Sequence, residues 1–374
     1  MKILFTGGGT GGHFYPIIAV AEAVHDAVRE RRLIEPILYY AAPDPYDRDM
    51  LVANDIRFVP TAAGKLRRYF SLMNVIDLFK ASWGVIKSVV RVFFLYPDVV
   101  FSKGGYVSFP TLLAARLFRI PIIIHESDSV PGRVNVWAGK FAQKIAVSFP
   151  EAAEYFPKEK VAVTGNPVRK ALLHPTKEGA FEYLKLQEGV PVLLVLGGSQ
   201  GAVTINDAIL AALPRLVEKY QIIHQTGRAN ITEVEGRAKL VLHDSPHPER
   251  YHAFDYLDDL AMRMSAGAAS LVISRSGSAL FEIAAWGLPS ILIPLPGAAG
   301  DHQTKNAFAY ARAGATAVIE QNNLTPGILI AEIDRIIDNP SLAAQLSAAA
   351  KAFARGDAAQ TIATALLDIG ISHE

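Results

Sequence analysis

A chain of 374 residues is longer than a single hydrophobic core usually supports, so two domains are expected. With 51% hydrophobic and 20% charged residues it reads as a folded, core-rich protein, and a net charge of +1 argues against a general nucleic-acid binder. The lack of cysteine excludes disulfides, thiolate metal sites and cysteine nucleophiles, and fits a reducing compartment.

The chain opens with a strand, KILFT, that runs into five glycines within six residues and then His13. A helix follows, with Ile17, Ala21, Val24 and Val28 on one face and Glu22, Asp26 and Arg29 off it. Charged and polar residues recur from this helix onward, so no secretory leader is expected. PILYYA, DVVFS, IPIIIHES and KIAVSF are the next strands, each after a helical stretch, which implies βαβ units and a mostly parallel sheet.

Around VAVTGNPVRKALLHPTKEG the pattern relaxes into a polar connection containing Pro and Gly. VPVLLVLGGSQGAVTIN then restarts the opening grammar, and YQIIHQTG, ASLVISRSG and PSILIPL are its later strands. Two similar α/β halves therefore meet near residues 165–175, with ligands expected outside the carboxyl ends of the strands. The longest uncharged stretch, IAAWGLPSILIPLPGAAG, is broken by Pro289, Pro294 and Pro296, so no membrane span is expected.

Gly7, Gly9 and Gly12 satisfy G-x-G-x-x-G between a strand and a helix. The second strand ends YYAAP, without the acid that would hold a dinucleotide ribose, which weakens a nicotinamide reading. GGSQGA (197–202) stands where a helix begins and is a natural phosphate seat, with Ser199 as an added donor or simply a helix cap. SKGGYVSFP is a third glycine loop at a strand end, and no Walker pattern occurs anywhere. Asp47-Arg48-Asp49 has the spacing of a metal-binding carboxylate pair, but it follows prolines on a polar segment and is expected to be a solvated helix start.

Residues 64–94, GKLRRYFSLMNVIDLFKASWGVIKSVVRVFF, are too apolar for one buried helix face yet carry Lys65, Arg67, Arg68, Asp77, Lys80, Lys87 and Arg91. Apolar residues beside clustered bases suit a helix lying in an anionic headgroup layer. The competing reading is a helix pair packed in the domain core.

GGGTGGHFYP, KGGYVSFP, the HES…GRVN stretch, GNPVR, GGSQGA, the RSG–FEIAAWGLP segment and DHQTKNA run in order from residue 7 to about 310. Together they resemble the MurG family of peptidoglycan N-acetylglucosaminyltransferases. The resemblance implies an α/β GT-B fold, two Rossmann-like domains with parallel sheets facing a central cleft. It divides the chain into 1–168, binding acceptor and membrane, and 169–374, binding UDP-GlcNAc, with the last helix free to pack back on the first domain. It implies inverting transfer of GlcNAc from UDP-GlcNAc to lipid I, giving lipid II and UDP, without a cofactor or an essential metal. A peripheral place on the cytoplasmic face of the inner membrane, an anionic membrane surface and cell-wall synthesis proteins as partners are implied too, and no nucleic acid. Another GT-B sugar-nucleotide enzyme, such as a UDP-GlcNAc 2-epimerase, is the nearest alternative.

Carried over residue by residue, the resemblance gives Ser199 with the GGSQGA backbone, Gln200 and Gly201 included, to the donor diphosphate, and counts Arg275 among the donor-binding residues. Glu282 falls to the ribose, Arg169 and the backbone of Leu257 to the uracil, and Gln303 and Asn306 to the GlcNAc hydroxyls. His302 stands where some relatives have a further glutamine. Thr10, Gly11, Gly12 and Asn135 are also placed near the donor. Gly9, Thr10, His13, Tyr106 and Glu126 are expected around the acceptor. His13 is the first candidate for the base that takes the acceptor proton. A helix-capping histidine, the His125–Glu126 pair, or no dedicated base are the rivals.

Overall fold

The computed structural model describes residues 1–61, 73–198 and 201–373, with the backbone alone over 73–82. The chain forms two compact units, one of Met1–Arg169 with Arg355–Glu374 and one of Lys170–Ala354.

Unit 1 is built on a seven-stranded sheet: β1 (Lys2–Thr6), β2 (Ile37–Ala42), β3 (Ile56–Pro60), β4 (Val99–Ser102), β5 (Ile122–Glu126), β6 (Lys144–Val147) and β7 (Val161–Val163). Every pairing is parallel, in the order β3-β2-β1-β4-β5-β6-β7. Unit 2 repeats the plan with β8 (Val192–Leu196), β9 (Gln221–Gln225), β10 (Tyr251–Phe254), β11 (Leu271–Ser274), β12 (Ser290–Leu292) and β13 (Ala317–Val318). Its order is β10-β9-β8-β11-β12-β13, again all parallel. Helices cover both faces of a parallel sheet, so its inner strands are continuous apolar runs, as KILFT, VVFS, IIIHE and VLLVL are.

The first helix, Gly11–Arg31, buries Ile17, Ala21, Val24 and Val28 as its periodicity requires. Against it in unit 1 packs the last helix, Ala358–His373, through Ile362, Ala363, Leu366 and Leu367. That apolar face draws the end of the chain into the core of unit 1. Arg169 also belongs to unit 1, one residue beyond the boundary the motifs suggested.

VAV at 161–163, expected in a connection, is strand β7. Asp47 caps the short Arg48–Ala53 helix, its Oδ1 accepting from the Met50 N–H at 3.0 Å, as a solvated helix start does. Among the described residues no helix is long and apolar enough to cross a membrane.

Candidate functional site

In each sheet the strand order reverses beside the first strand of the unit, β1 between β2 and β4, β8 between β9 and β11. A crevice opens at such a point beyond the carboxyl ends of the strands, and the two principal glycine loops follow β1 and β8.

In unit 1, Gly9 and Thr10 are exposed ahead of the Gly11–Arg31 helix. The first turn of a helix has N–H groups without intrahelical partners and a positive end, which suits an anion. Several of the glycines are bare because protein crowds them. A Cβ on Gly7 would stand 2.8 Å from that of Lys103, and one on Gly104, at φ +80°, would stand 2.6 Å from the Asn135 amide. Gly9 meets only the Tyr106 ring edge, at 3.9 Å.

His13 lies in the first helical turn with Nδ1 2.9 Å from Thr10 Oγ1. Its Nε2 points to Gly105, 3.7 Å from where a Cβ would stand, and Tyr106 beside it is exposed. Glu126 ends β5 and is buried, both oxygens occupied: Oε1 accepts from the Asp128 N–H, and Oε2 from the Gly132 N–H and Asn135 Nδ2. Burial and Asp128 push its carboxyl up, while these donors pull it back. Asn135 also donates to the His125 carbonyl at 3.1 Å, and its own Oδ1, buried beside Gly104, has no partner among the described residues.

His125 is fully buried and its Nε2–H donates to the Gly165 carbonyl at 3.0 Å. Nδ1 is therefore an acceptor, and it takes a proton donor from Lys103 Nζ at 2.7 Å. Burial and that neighbouring lysine hold the His125 imidazole well below its ordinary range. With both nitrogens engaged inside the protein, it is no base for an acceptor. Lys103 also reaches Ser127 Oγ and Asn166 Oδ1. Arg169, expected with the donor domain, is buried in unit 1 with its guanidinium 4.4 Å above the Tyr15 ring.

In unit 2, Gly197 donates to the Gln225 carbonyl and Gly201 to that of Gly198, ahead of the Val203–Lys219 helix. Ser199 and Gln200, the expected phosphate residues, lie outside the described residues. The loop is braced from behind by groups the motifs did not single out. Asn206 donates to the Thr226 carbonyl at 3.0 Å and accepts from His224 Nε2, and the Tyr251 hydroxyl donates to His224 Nδ1. Burial pushes His224 down to about 3, so it stays neutral. The signal was present in QIIHQ: a histidine centred in a buried strand must find partners.

Glu282 sits half-buried in the first turn of the Ala279–Trp286 helix after β11. Arg275, just past β11, donates to the Ile293 carbonyl at 3.0 Å, and burial lowers its pKa. Ser276 donates to the Gln303 carbonyl, Asn306 to the Ser276 carbonyl, and Gln303 Oε1 accepts from the Leu295 N–H. These contacts knit the loops after β11 and β12 to the His302–Arg312 helix. Asn306 is buried behind them, and Leu257 keeps its side chain in the core, leaving only backbone for a ligand. The described residues hold no group of three or more His, Asp or Glu able to bind a metal ion.

Residues 3–147 match the glycosyltransferase family 28 N-terminal domain and 192–362 the C-terminal domain of the same family. A UDP-N-acetylglucosamine–N-acetylmuramyl-(pentapeptide) pyrophosphoryl-undecaprenol N-acetylglucosamine transferase of Bacillus thuringiensis is 38% identical over 341 residues, 90% of this chain and 92% of its own. The crystal structure of Acinetobacter baumannii MurG matches with a TM-score of 0.72 at 24% identity, over 98% of this chain and 99% of the other. A UDP-GlcNAc 2-epimerase of Neisseria meningitidis bound to UDP-GlcNAc matches with a TM-score of 0.66 at 17% identity, over 98% and 100%, and so shares the fold alone. Two Rossmann-like units, a glycine loop at the reversal point of each and a relative of this similarity along nearly the whole chain lead to one assignment: the chain belongs to the MurG family of GT-B glycosyltransferases.

Proposed function

We propose that the chain transfers GlcNAc from UDP-GlcNAc to undecaprenyl-pyrophosphoryl-MurNAc-pentapeptide, lipid I, giving lipid II and UDP with inversion at the anomeric carbon. The observation that carries this reading is the relative named for that reaction, 38% identical over 90% of the chain. Unit 2 takes the donor: the Ser199–Gly201 loop and Arg275 take the diphosphate, Glu282 accepts from the ribose hydroxyls, and Gln303 faces the sugar. Unit 1 takes the acceptor diphosphate at Gly9–Thr10 and the start of the first helix.

The acceptor oxygen forms its bond to the anomeric carbon as the bond to UDP breaks, and the hydroxyl proton passes to His13 Nε2. For Nε2 to accept, Nδ1 must carry the ring proton, and Thr10 Oγ1 is the acceptor that holds it there. Charge growing on the leaving diphosphate is met by fixed donors, so no metal is required and a chelator should leave turnover unchanged.

The membrane-bound acceptor gives the apolar part of the Met73–Leu95 helix a purpose. Trp83, Ile86, Val90, Phe93 and Phe94 recur at helical spacing and are all exposed. This face is proposed to rest in an anionic cytoplasmic leaflet beside Lys87 and Arg91. The basic cluster Lys65, Arg67 and Arg68 lies outside the described residues. Flotation with anionic liposomes tests the contact, and failure to bind would refute it.

The reaction is tested by incubating the purified protein with labelled UDP-GlcNAc, with and without a short-chain lipid I analogue. Labelled disaccharide-lipid that forms only with acceptor is the expected result. Conversion of UDP-GlcNAc alone would indicate an epimerase instead.

A further inference from the structure

SKGGYVSFP contains a lysine that none of these roles uses. Lys103 follows β4 and is 2% exposed. Its ammonium has three N–H donors, and each meets an acceptor: His125 Nδ1 at 2.7 Å, Ser127 Oγ, and Asn166 Oδ1 at 3.1 Å. All three acceptors are uncharged. The carboxylates of Glu126 and Asp128 act on the ammonium through space, and burial works against it. A buried ammonium without a direct ion pair is costly to desolvate, and apolar residues in place of the lysine and its acceptors together would fill the space at lower cost. The cation therefore needs a reason other than packing.

The reason lies in what its donors join. His125 and Ser127 belong to the end of β5 and the turn beyond it. There the His125 carbonyl fixes Asn135, and Glu126 gathers the N–H groups of Asp128 and Gly132. Asn166 belongs to the strap Thr164–Arg169, which His125 also grips through Gly165 and which ends with Arg169 on Tyr15 of the first helix. With no donor left over, the ammonium does not itself reach a ligand.

We propose that Lys103 is a positioning residue for the acceptor half-site, clamping the end of β5 and the turn that follows Glu126 to the 164–169 strap. The inference rests on unit 1 holding the acceptor, as proposed above. It makes Lys103 a device for order at the site, kept against its desolvation cost.

The test is Lys103→Met in the full-length protein, with Ser127→Ala as a milder variant that removes one acceptor and little volume. For Lys103→Met, which leaves its three acceptors without their donor, we expect a lowered Tm, donor affinity within twofold of wild type, and kcat/KM for a lipid I analogue lowered tenfold or more, mainly through KM. Ser127→Ala should shift the same quantities by a smaller factor. Hydrogen exchange, which needs no substrate, should quicken in both 127–135 and 164–168. Unchanged exchange in those segments would overturn the clamp, and so would unchanged acceptor kcat/KM in an active enzyme. Donor and acceptor affinity lost together would also overturn it, leaving Lys103 a plain core residue. If the wild-type enzyme itself fails to use the analogue, the transferase reading falls, and the exchange result still decides whether the clamp exists.

Discussion

One hydrogen bond, between Thr10 Oγ1 and His13 Nδ1, decides whether His13 can work as a base, because its direction sets which ring nitrogen carries the proton. His13→Ala should lower turnover by about 10²–10⁴, the range of a lost general base, with UDP binding intact. Thr10→Val, which removes only the acceptor for Nδ1–H, should cost less, and pre-steady-state rates of transfer would separate the two. Surviving turnover in His13→Ala would remove the base assignment. Glu282→Ala should weaken UDP-GlcNAc binding roughly tenfold, the loss of a charge-assisted hydrogen bond, as calorimetry would show. His13 and Glu282 could be proposed from the sequence because they stand in motifs. Lys103 and His224 could not: their work is done through buried hydrogen bonds to residues distant in sequence, such as Asn166 and Tyr251, which spacing cannot reveal.

Among the elements, the inner strands were plain in the sequence and four strands were missed: β3, β7, β10 and β13. They are the four edges of the two sheets. Edge strands are covered on one side only, so IRFVP, VAV, YHAF and AV lack the long buried apolar run that marks a central parallel strand. The loops show the opposite balance. Five glycines in the opening loop suggested space for a ligand, yet Gly7 is bare because Lys103 packs against it. In unit 2 a Cβ on Gly201, at φ +77°, would stand 2.1 Å from the Thr226 carbonyl oxygen. Gly201→Ala must therefore displace the loop that heads the Val203–Lys219 helix. It should cost about 1–3 kcal/mol from the backbone conformation alone and weaken UDP binding more than tenfold. Denaturant unfolding and UDP titration measure the two effects. A variant with wild-type stability and affinity would show that this turn does not hold the diphosphate.

At the scale of the whole molecule, the fully buried histidines among the described residues are His125 in unit 1 and His224 in unit 2, and burial also lowers the pKa of the part-buried His252 of unit 2. In the unfolded chain both fully buried histidines bind a proton near pH 6.5, whereas folded His224 does so only near 3 and folded His125 well below the ordinary value. Below pH 6.5 the unfolded chain thus binds more protons, and stability falls as pH falls, by about 1.4 kcal/mol per pH unit for each histidine. In unit 1 Glu126 opposes this slope, because its raised carboxyl keeps a proton that an unfolded glutamate has released. Lys103 acts at higher pH: unfolded lysine keeps its proton up to 10.5 while the buried one gives it up near 7, so stability rises with pH between those values. His125, Glu126 and Asp128 are the titratable groups that face it. The optimum is therefore expected on the alkaline side of neutrality, with unit 2, where burial alone holds His224 down, opening first in acid. Thermal unfolding between pH 4.5 and 9 should show Tm climbing throughout, and hydrogen exchange near pH 5 should quicken around β9 and β10 before β5. A flat Tm below pH 6.5, or β5 opening first, would mean that neither histidine governs the acid limb.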